Sequence, residues 1–314
     1  MPEALIWVSV GLWTIFFLHL IVNRFFIRPL PKLALAGEPP LVSIVVPARN
    51  EERGIRKAVS SFCEQDYPRL EVIVVDDCST DATPGILKEL QAKHPRLKVV
   101  QGKPPPKGWL GKPNALETGR KTAKGDWFLF ADADVVYAPD LVSRSVAYVL
   151  KEKAAMLCLW PNMIFGGLGE ALVLSKILHF FVLSPAFLVS KSRLKFVAAG
   201  GGVFNMVRRD ALETCGAFAC LKDAVIDDIG LGYKVKGAGF PLAVALSKDL
   251  IGIRMYYGFR ETLDGLNKNA YPTLRARPLL LLLIPPLGFT IFWLPYLAFI
   301  WGLTQGALNP PATI

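Results

Sequence analysis

The sequence predicts an α/β protein, a mainly parallel sheet with flanking helices, bracketed by two apolar segments. Three observations carry this. Short β-branched runs alternate with stretches of helical periodicity between residues 42 and 150. Acidic and amide-bearing residues gather where those runs end. Two long stretches without a charged side chain, Leu5–Val22 and Pro278–Leu303, enclose the middle of the chain.

The apolar segments come first. They hold 18 and 26 residues, against about 20 needed to cross a hydrocarbon core, so each is a candidate transmembrane helix. Arg24, Arg28 and Lys32 follow the first, and Arg275 and Arg277 precede the second. The positive-inside rule then places the middle of the chain on the cytoplasmic face of the inner (cytoplasmic) membrane. A cleaved signal peptide ending near Ala34-Leu35-Ala36 is the alternative for the first stretch. Against it, no Lys or Arg precedes the apolar run, and three basic residues separate the run from that site. Pro285-Pro286, Gly288 and Pro295 leave the second stretch as one kinked span or a re-entrant hairpin. The expected units are an anchor with basic linker at 1–36, a central domain at 37–277 and a membrane segment at 278–314.

In the central domain, Val42–Val46 and Glu71–Val75 read as buried parallel strands. Between them, Ile55, Val59 and Phe62 recur at helical spacing within Glu51–Glu64. Helices follow at Ala82–Lys93, Pro113–Ala123 and Pro139–Leu150, the last opened by its proline. Leu97–Val100 and Trp127–Ala131 are further strands. Alternation of this kind predicts right-handed crossovers and a ligand site beyond the carboxyl ends of the strands.

Composition narrows the class. With 52% hydrophobic residues and a mean hydropathy of +0.37, the chain of 314 residues is too apolar for disorder. Its net charge of +10 is dispersed or lies beside the apolar segments, without a nucleic-acid-binding signature, so nucleic acid is not an expected partner. Anionic headgroups and a phosphate-bearing substrate account for it instead. Five cysteines without C-x-x-C spacing fit buried thiols in a reducing compartment, and the three histidines form no zinc pattern with them.

The chemistry-bearing residues sit at the strand ends. Pro47, Asn50 and Glu51 follow the first strand, and Asp76 and Asp77 end the second, as ligand carboxylates or as turn residues. Asp81 suits a helix cap. Asp132-Ala133-Asp134 follows the Trp127 strand; alternate residues on an extended segment point the same way, so two carboxylates can share a divalent cation such as Mn2+ or Mg2+ with a diphosphate. A solvated turn is the bland reading of the same pattern. Lys112 stands at a helix start, suited to a phosphate or simply exposed, and no Walker loop surrounds it. Gly200-Gly201-Gly202 permits close backbone approach or a tight turn. Asp227 and Asp228 open a helix, where acidic residues also favour the helix dipole.

Taken in order, VSIVVPARNEE, VIVVDDCSTDAT, GKPNALETG and FLFADADV resemble the nucleotide-sugar-binding half of the GT-A-fold (Rossmann-like) family 2 glycosyltransferases over Leu41–Tyr137. GGGVFNMVRRDAL and VIDDIGLGYKVKGAGF extend the resemblance to about residue 247, and the flanks look most like the hopanoid-biosynthesis-associated branch. The resemblance implies a nucleotide-sugar donor, UDP-linked, with Asp77 chiefly accepting the uracil imide and Pro47, Asn50, Glu51, Asp76 and Lys112 in the donor site. It implies metal binding by Asp134, metal or ribose contact by Asp132, and a catalytic base at Asp228. Asp227 departs from the family's usual Glu. The Q-x-x-R-W of processive members is missing, which leaves Arg254 and Arg260 as candidates for the leaving diphosphate or for lipid headgroups. Phe165–Val189 reads as an interfacial amphipathic segment or a buried helix pair. The expected protein is a membrane-anchored, metal-dependent, inverting glycosyltransferase acting on a membrane lipid; the alternative is a noncatalytic nucleotide-sugar-binding scaffold. No oligomeric state is expected either way.

Overall fold

A computed structural model describes residues 2–35, 37–171, 197–224 and 227–265, with isolated positions between and beyond. The β-branched runs form strands as their composition dictates. β1 (Val42–Ala48) pairs in parallel with β2 (Leu70–Asp76) on one side and β4 (Trp127–Phe130) on the other. β3 (Leu97–Gln101) continues the parallel half beyond β2. Three more strands complete the sheet: β6 (Met156–Trp160), β8 (Asn205–Arg208) and β9 (Leu242–Leu246), in the order β3-β2-β1-β4-β8-β6-β9. β8 runs antiparallel to both of its neighbours, so the sheet is mixed. A smaller sheet, β5-β10-β7, joins β5 (Val136–Tyr137), β7 (Asn162–Met163) and β10 (Ile251–Ile253).

Both faces of the large sheet are covered. Ile44, Val46, Val72 and Val74 point to one face, against Phe62 of α2 (Ile55–Cys63), Leu87 of α3 (Thr83–Lys93) and Val146 of α5 (Leu141–Glu152). Val45, Ile73 and Val75 point to the other, against Leu116 of α4 (Gly111–Thr122), Leu212 of α6 (Arg209–Thr214) and Leu231 of α7 (Asp227–Gly237). This is the period-two alternation of a strand buried on both sides. The expected helices hold with shifted starts. α2 begins at Ile55 because the residues before it are engaged in loop contacts, including Gly54 N–H to Glu51 O at 3.1 Å. α4 starts two residues ahead of Pro113, and Pro139 lies just outside α5.

The N-terminal segment forms a helix, α1 (Pro2–Phe26), with Ile15, Phe17, Leu18 and Phe25 exposed. Among the described residues, however, no helix is long and apolar enough to cross a membrane. The N-terminal span expected from the sequence gains no support from this, and most of 278–314 lies outside the described residues, as does most of Phe165–Val189. The chain leaving α1 caps the sheet edge: Leu30 N–H donates to Leu246 O and Leu246 N–H to Arg28 O, both at 2.9 Å.

Helix α4 lies close on the sheet through Gly119, where a Cβ would collide with Val45 Cγ1 and meet Val75 Cγ2 at 3.2 Å. Gly119→Val is expected to cost about 1–3 kcal/mol by overpacking, read as a lower urea midpoint. It should also displace Lys112, which stands at the start of the same helix.

Candidate active site

The parallel register brings the strand ends level, with Ala48 opposite Asp76. The β1 and β2 loops are then laced together. Asn50, at φ 58°, accepts from Thr80 N–H through Oδ1 at 2.8 Å and gives its own N–H to Ser79 Oγ at 3.1 Å. The N–H of Glu51 donates to Thr83 Oγ1 at 2.8 Å, and Glu52 N–H to Asp81 Oδ2 at 3.2 Å. Asp81 also accepts from Thr83 N–H at 3.0 Å, from one position ahead of the N-cap Ala82 rather than as the cap itself. Asp76 is buried and accepts from Ser79 N–H at 3.1 Å. Asn50 Oδ1 and Asp76 Oδ1 thus help to hold the shape of these two loops.

Asp77 faces inward. Its Oδ2 is 3.8 Å from Arg49 Nη1 and lies against Gly111, where a Cβ would sit 2.6 Å away. Burial raises its carboxyl above the usual range, Arg49 opposes this, and the charge of Asp76 adds to it.

A small cleft is lined by residues that include Pro47, Lys112, Asp132, Gly202, Asp227 and Asp228. Lys112 Nζ donates to Asp132 Oδ1 at 2.8 Å and lies 3.7 Å from Asp227 Oδ1. Burial disfavours the charge on Lys112, but Asp132, Asp227 and Asp228 together outweigh it and hold the ammonium protonated. Asp228 opens α7 and accepts from Ile229 N–H through Oδ1 at 2.8 Å. Its carboxyl is raised by burial, with Lys112 opposing. A Cβ at Gly202 would stand 2.8 Å from Asp132 Oδ2 and 3.7 Å from Asp228 Oδ2, so these two carboxylates share the space that the glycine leaves open.

Asp134 stands beside this group, with Gly54 packed on its backbone. Desolvation and then the like charge of Asp132 push it up to about 6. A divalent cation would relieve that repulsion. Among the described residues no three His, Cys, Asp or Glu side chains form a cage for an ion. Two mutually repelling carboxylates beside an open cradle fit a hard cation that draws its remaining oxygens from a diphosphate and water.

The arginines lie elsewhere. Arg254 Nη2 donates to Glu170 Oε1 at 2.9 Å, and its guanidinium stacks over Tyr257 at 4.4 Å. Glu170 is buried and also accepts from Gly166 N–H and Gly258 N–H, each at 2.7 Å. Those bonds, led by Arg254, hold its carboxyl down at about 2. Arg254 is therefore committed to joining two chain segments, and Arg260 is exposed on the helical turn 259–265. Neither lines the carboxylate cleft with Lys112. Sequence reading missed Glu170 and Asn205, whose Oδ1 accepts from Gly201 N–H at 3.2 Å. Glu170 meets Arg254 across 84 positions and no local pattern announces the pair.

Asp227 is pushed up to about 6 by burial, with Lys112 opposing and Asp228 and Asp132 reinforcing. A raised carboxyl contributes stability that is complete below its ordinary value of 3.8 and is lost as pH rises through about 6. Asp227→Asn removes that loss. The urea-midpoint difference between variant and wild type is expected to grow in the variant's favour from about pH 4 to about pH 7. A constant difference across that range would contradict the assignment.

Residues 43–216 match the family model described as Glycosyl transferase family 2. A beta-monoglucosyldiacylglycerol synthase of Nostoc sp. is 30% identical over 233 residues, 72% of this chain and 47% of its own. A 4,4'-diaponeurosporenoate glycosyltransferase of Staphylococcus haemolyticus is 25% identical over 271 residues, 85% of this chain and 70% of its own. The chain spans about half the length of the synthases it matches. These relatives place the resemblance at the level of the family, and the hopanoid branch expected from the sequence gains no support from them. Among solved structures, the mannosyltransferase PcManGT from Pyrobaculum calidifontis, in complex with GDP-Man and Mn2+, aligns over 99% of this chain and 88% of its own, with TM-score 0.62 at 20% identity. S. aureus TarS 1-349 in complex with UDP-GlcNAc aligns over 69% and 59%, with TM-score 0.51 at 22% identity. Both likenesses bear on the fold, an α/β GT-A-like architecture with a mixed, mainly parallel sheet. With the family model covering more than half of its length, the chain belongs to glycosyl transferase family 2.

Proposed function

We propose that the protein moves a hexose from a UDP-linked donor to a hydroxyl of a membrane lipid, with inversion at the anomeric carbon. The observation that carries this reading is the shared cradle at Gly202, on which Asp132 and Asp228 both converge. Asp77 and the laced loops 47–52 and 76–83 would receive the nucleoside, Asp77 accepting the imide N–H of the base. Asp134 and Asp132 would hold a divalent cation, which when bound supplies positive charge to the departing diphosphate. Lys112 would donate to a phosphate oxygen. Asp228 would take the proton of the acceptor hydroxyl as that oxygen attacks the anomeric carbon and the sugar–phosphate bond breaks, its electron pair leaving with the nucleoside diphosphate. One in-line displacement with one base gives inversion.

The lipid acceptor rests on two supports. The Nostoc relative is named for diacylglycerol, a lipid, and the Staphylococcus relative for 4,4'-diaponeurosporenoate. In this chain, α1 exposes Trp7, Ile15, Phe17, Leu18 and Phe25, with Arg24, Arg28 and Lys32 close behind. Apolar side chains backed by basic ones suit the surface of an anionic membrane, here the cytoplasmic face of the inner membrane. At about 25 cal/mol per Å², burial of a lipid tail supplies acceptor affinity without sugar-specific contacts. The catalytic unit would be residues 37–277, with 1–36 and 278–314 serving membrane attachment.

Two measurements test the chemistry. Asp228→Asn is expected to lower turnover on lipid extract at least about 100-fold while calorimetric donor affinity stays near wild type. Near-normal turnover would remove Asp228 as the base. Asp134→Ala is expected to abolish the Mn2+ dependence of donor binding, since one carboxylate leaves too few ligands beside the diphosphate. If the wild-type protein binds and turns over donor equally well in excess EDTA, the cation has no place in the reaction.

A further inference from the structure

Lys112 occupies an unusual position for a half-exposed lysine. Its ammonium donates to Asp132 at 2.8 Å and stands 3.7 Å from Asp227, and it feels the charge of Asp228. Asp227 is almost fully buried, and among the described residues the cation it pairs with is Lys112. Without the ammonium, three carboxylates would face one another in a recess, at a high cost in repulsion and desolvation. The oxygen that Lys112 holds belongs to Asp132, one of the two carboxylates suited to a divalent ion.

We propose that Lys112 is a resident counter-ion that keeps Asp132 closed to a divalent cation until a diphosphate draws the ammonium away. The inference rests on the proposed donor site and adds an order of assembly to it. A cation arriving alone must displace the lysine from Asp132 and then sit beside its positive charge. It also lacks the phosphate oxygens that would fill its shell. A nucleoside diphosphate removes both obstacles. Its phosphates offer Lys112 a new charge-assisted partner and offer the cation the missing ligands. The flexible four-carbon stem lets the ammonium move between partners without backbone change. By linkage, nucleotide tightens the cation by the same factor that the cation tightens nucleotide. A site open to metal alone would show no such coupling through Lys112.

Metal occupancy, read by the loss of the free Mn2+ signal in electron paramagnetic resonance, tests the proposal apart from sugar transfer. The full chain is titrated with Mn2+ alone and again with saturating UDP, as wild type, Lys112→Met and Lys112→Arg. Wild type is expected to bind Mn2+ at least about tenfold more tightly with UDP than without it. Lys112→Met should bind Mn2+ alone at least about tenfold more tightly than wild type, whereas Lys112→Arg, which keeps the charge, should stay close to wild type. Lys112→Gln replaces the methionine variant if the latter does not fold. The proposal is overturned if the neutral variant binds Mn2+ alone no better than wild type, or if UDP leaves wild-type Mn2+ affinity unchanged. Loss of glycosyl transfer with the metal coupling intact would strike the proposed function and leave this inference standing.

Discussion

The register of β1 between β2 and β4 is the constraint on which the site depends. Val46 opposite Val74 and Val45 opposite Phe130 bring three strand ends to one edge. The chain leaves the sheet there through Asp76-Asp77, Asn50-Glu51 and Asp132-Ala133-Asp134, so acidic residues converge without any single element having to be special. A slip of one residue in β1 would exchange the side chains that fill the two apolar clusters on either side, at a packing cost in both. Packing far from the cleft therefore holds the carboxylates at their spacing.

Gathering that much negative charge in a recess has an electrostatic consequence. Asp134 and Asp227 are both driven up to about 6, and Asp228 upward as well, while one ammonium answers them. Such a site is poised for positive charge, which Lys112 supplies among the described residues that line it.

Much of this was legible in the sequence, because local rules govern the parallel half. β-branched runs and helical spacing gave β1 to β4 and the helices between them, and the strand-end rule located Pro47, Asp77 and Asp132. The second half was harder. β6 lacks β-branched residues, β8 is four residues long, and the smaller sheet pairs strands of two or three residues, so none carries a clear period. Asp228 was found through its neighbours at the start of a helix. The partner of Arg254 was not legible, because a lone arginine announces a charge but not its partner, and Glu170 lies 84 positions away. Leu5–Val22 marked an apolar helix, which α1 is.

The glycines around α7 bear on how the protein can change. A Cβ at Gly200 would strike the Asp228 carbonyl, and one at Gly232 would strike the Ala199 carbonyl. Helix and glycine run are meshed backbone to backbone, with no side chain between them to adjust. The position of Asp228 is consequently held by main-chain packing. Phe165, Tyr257 and Phe259, by contrast, are exposed side chains. Main chain locked by close contact tolerates few substitutions, whereas exposed side chains are free to drift.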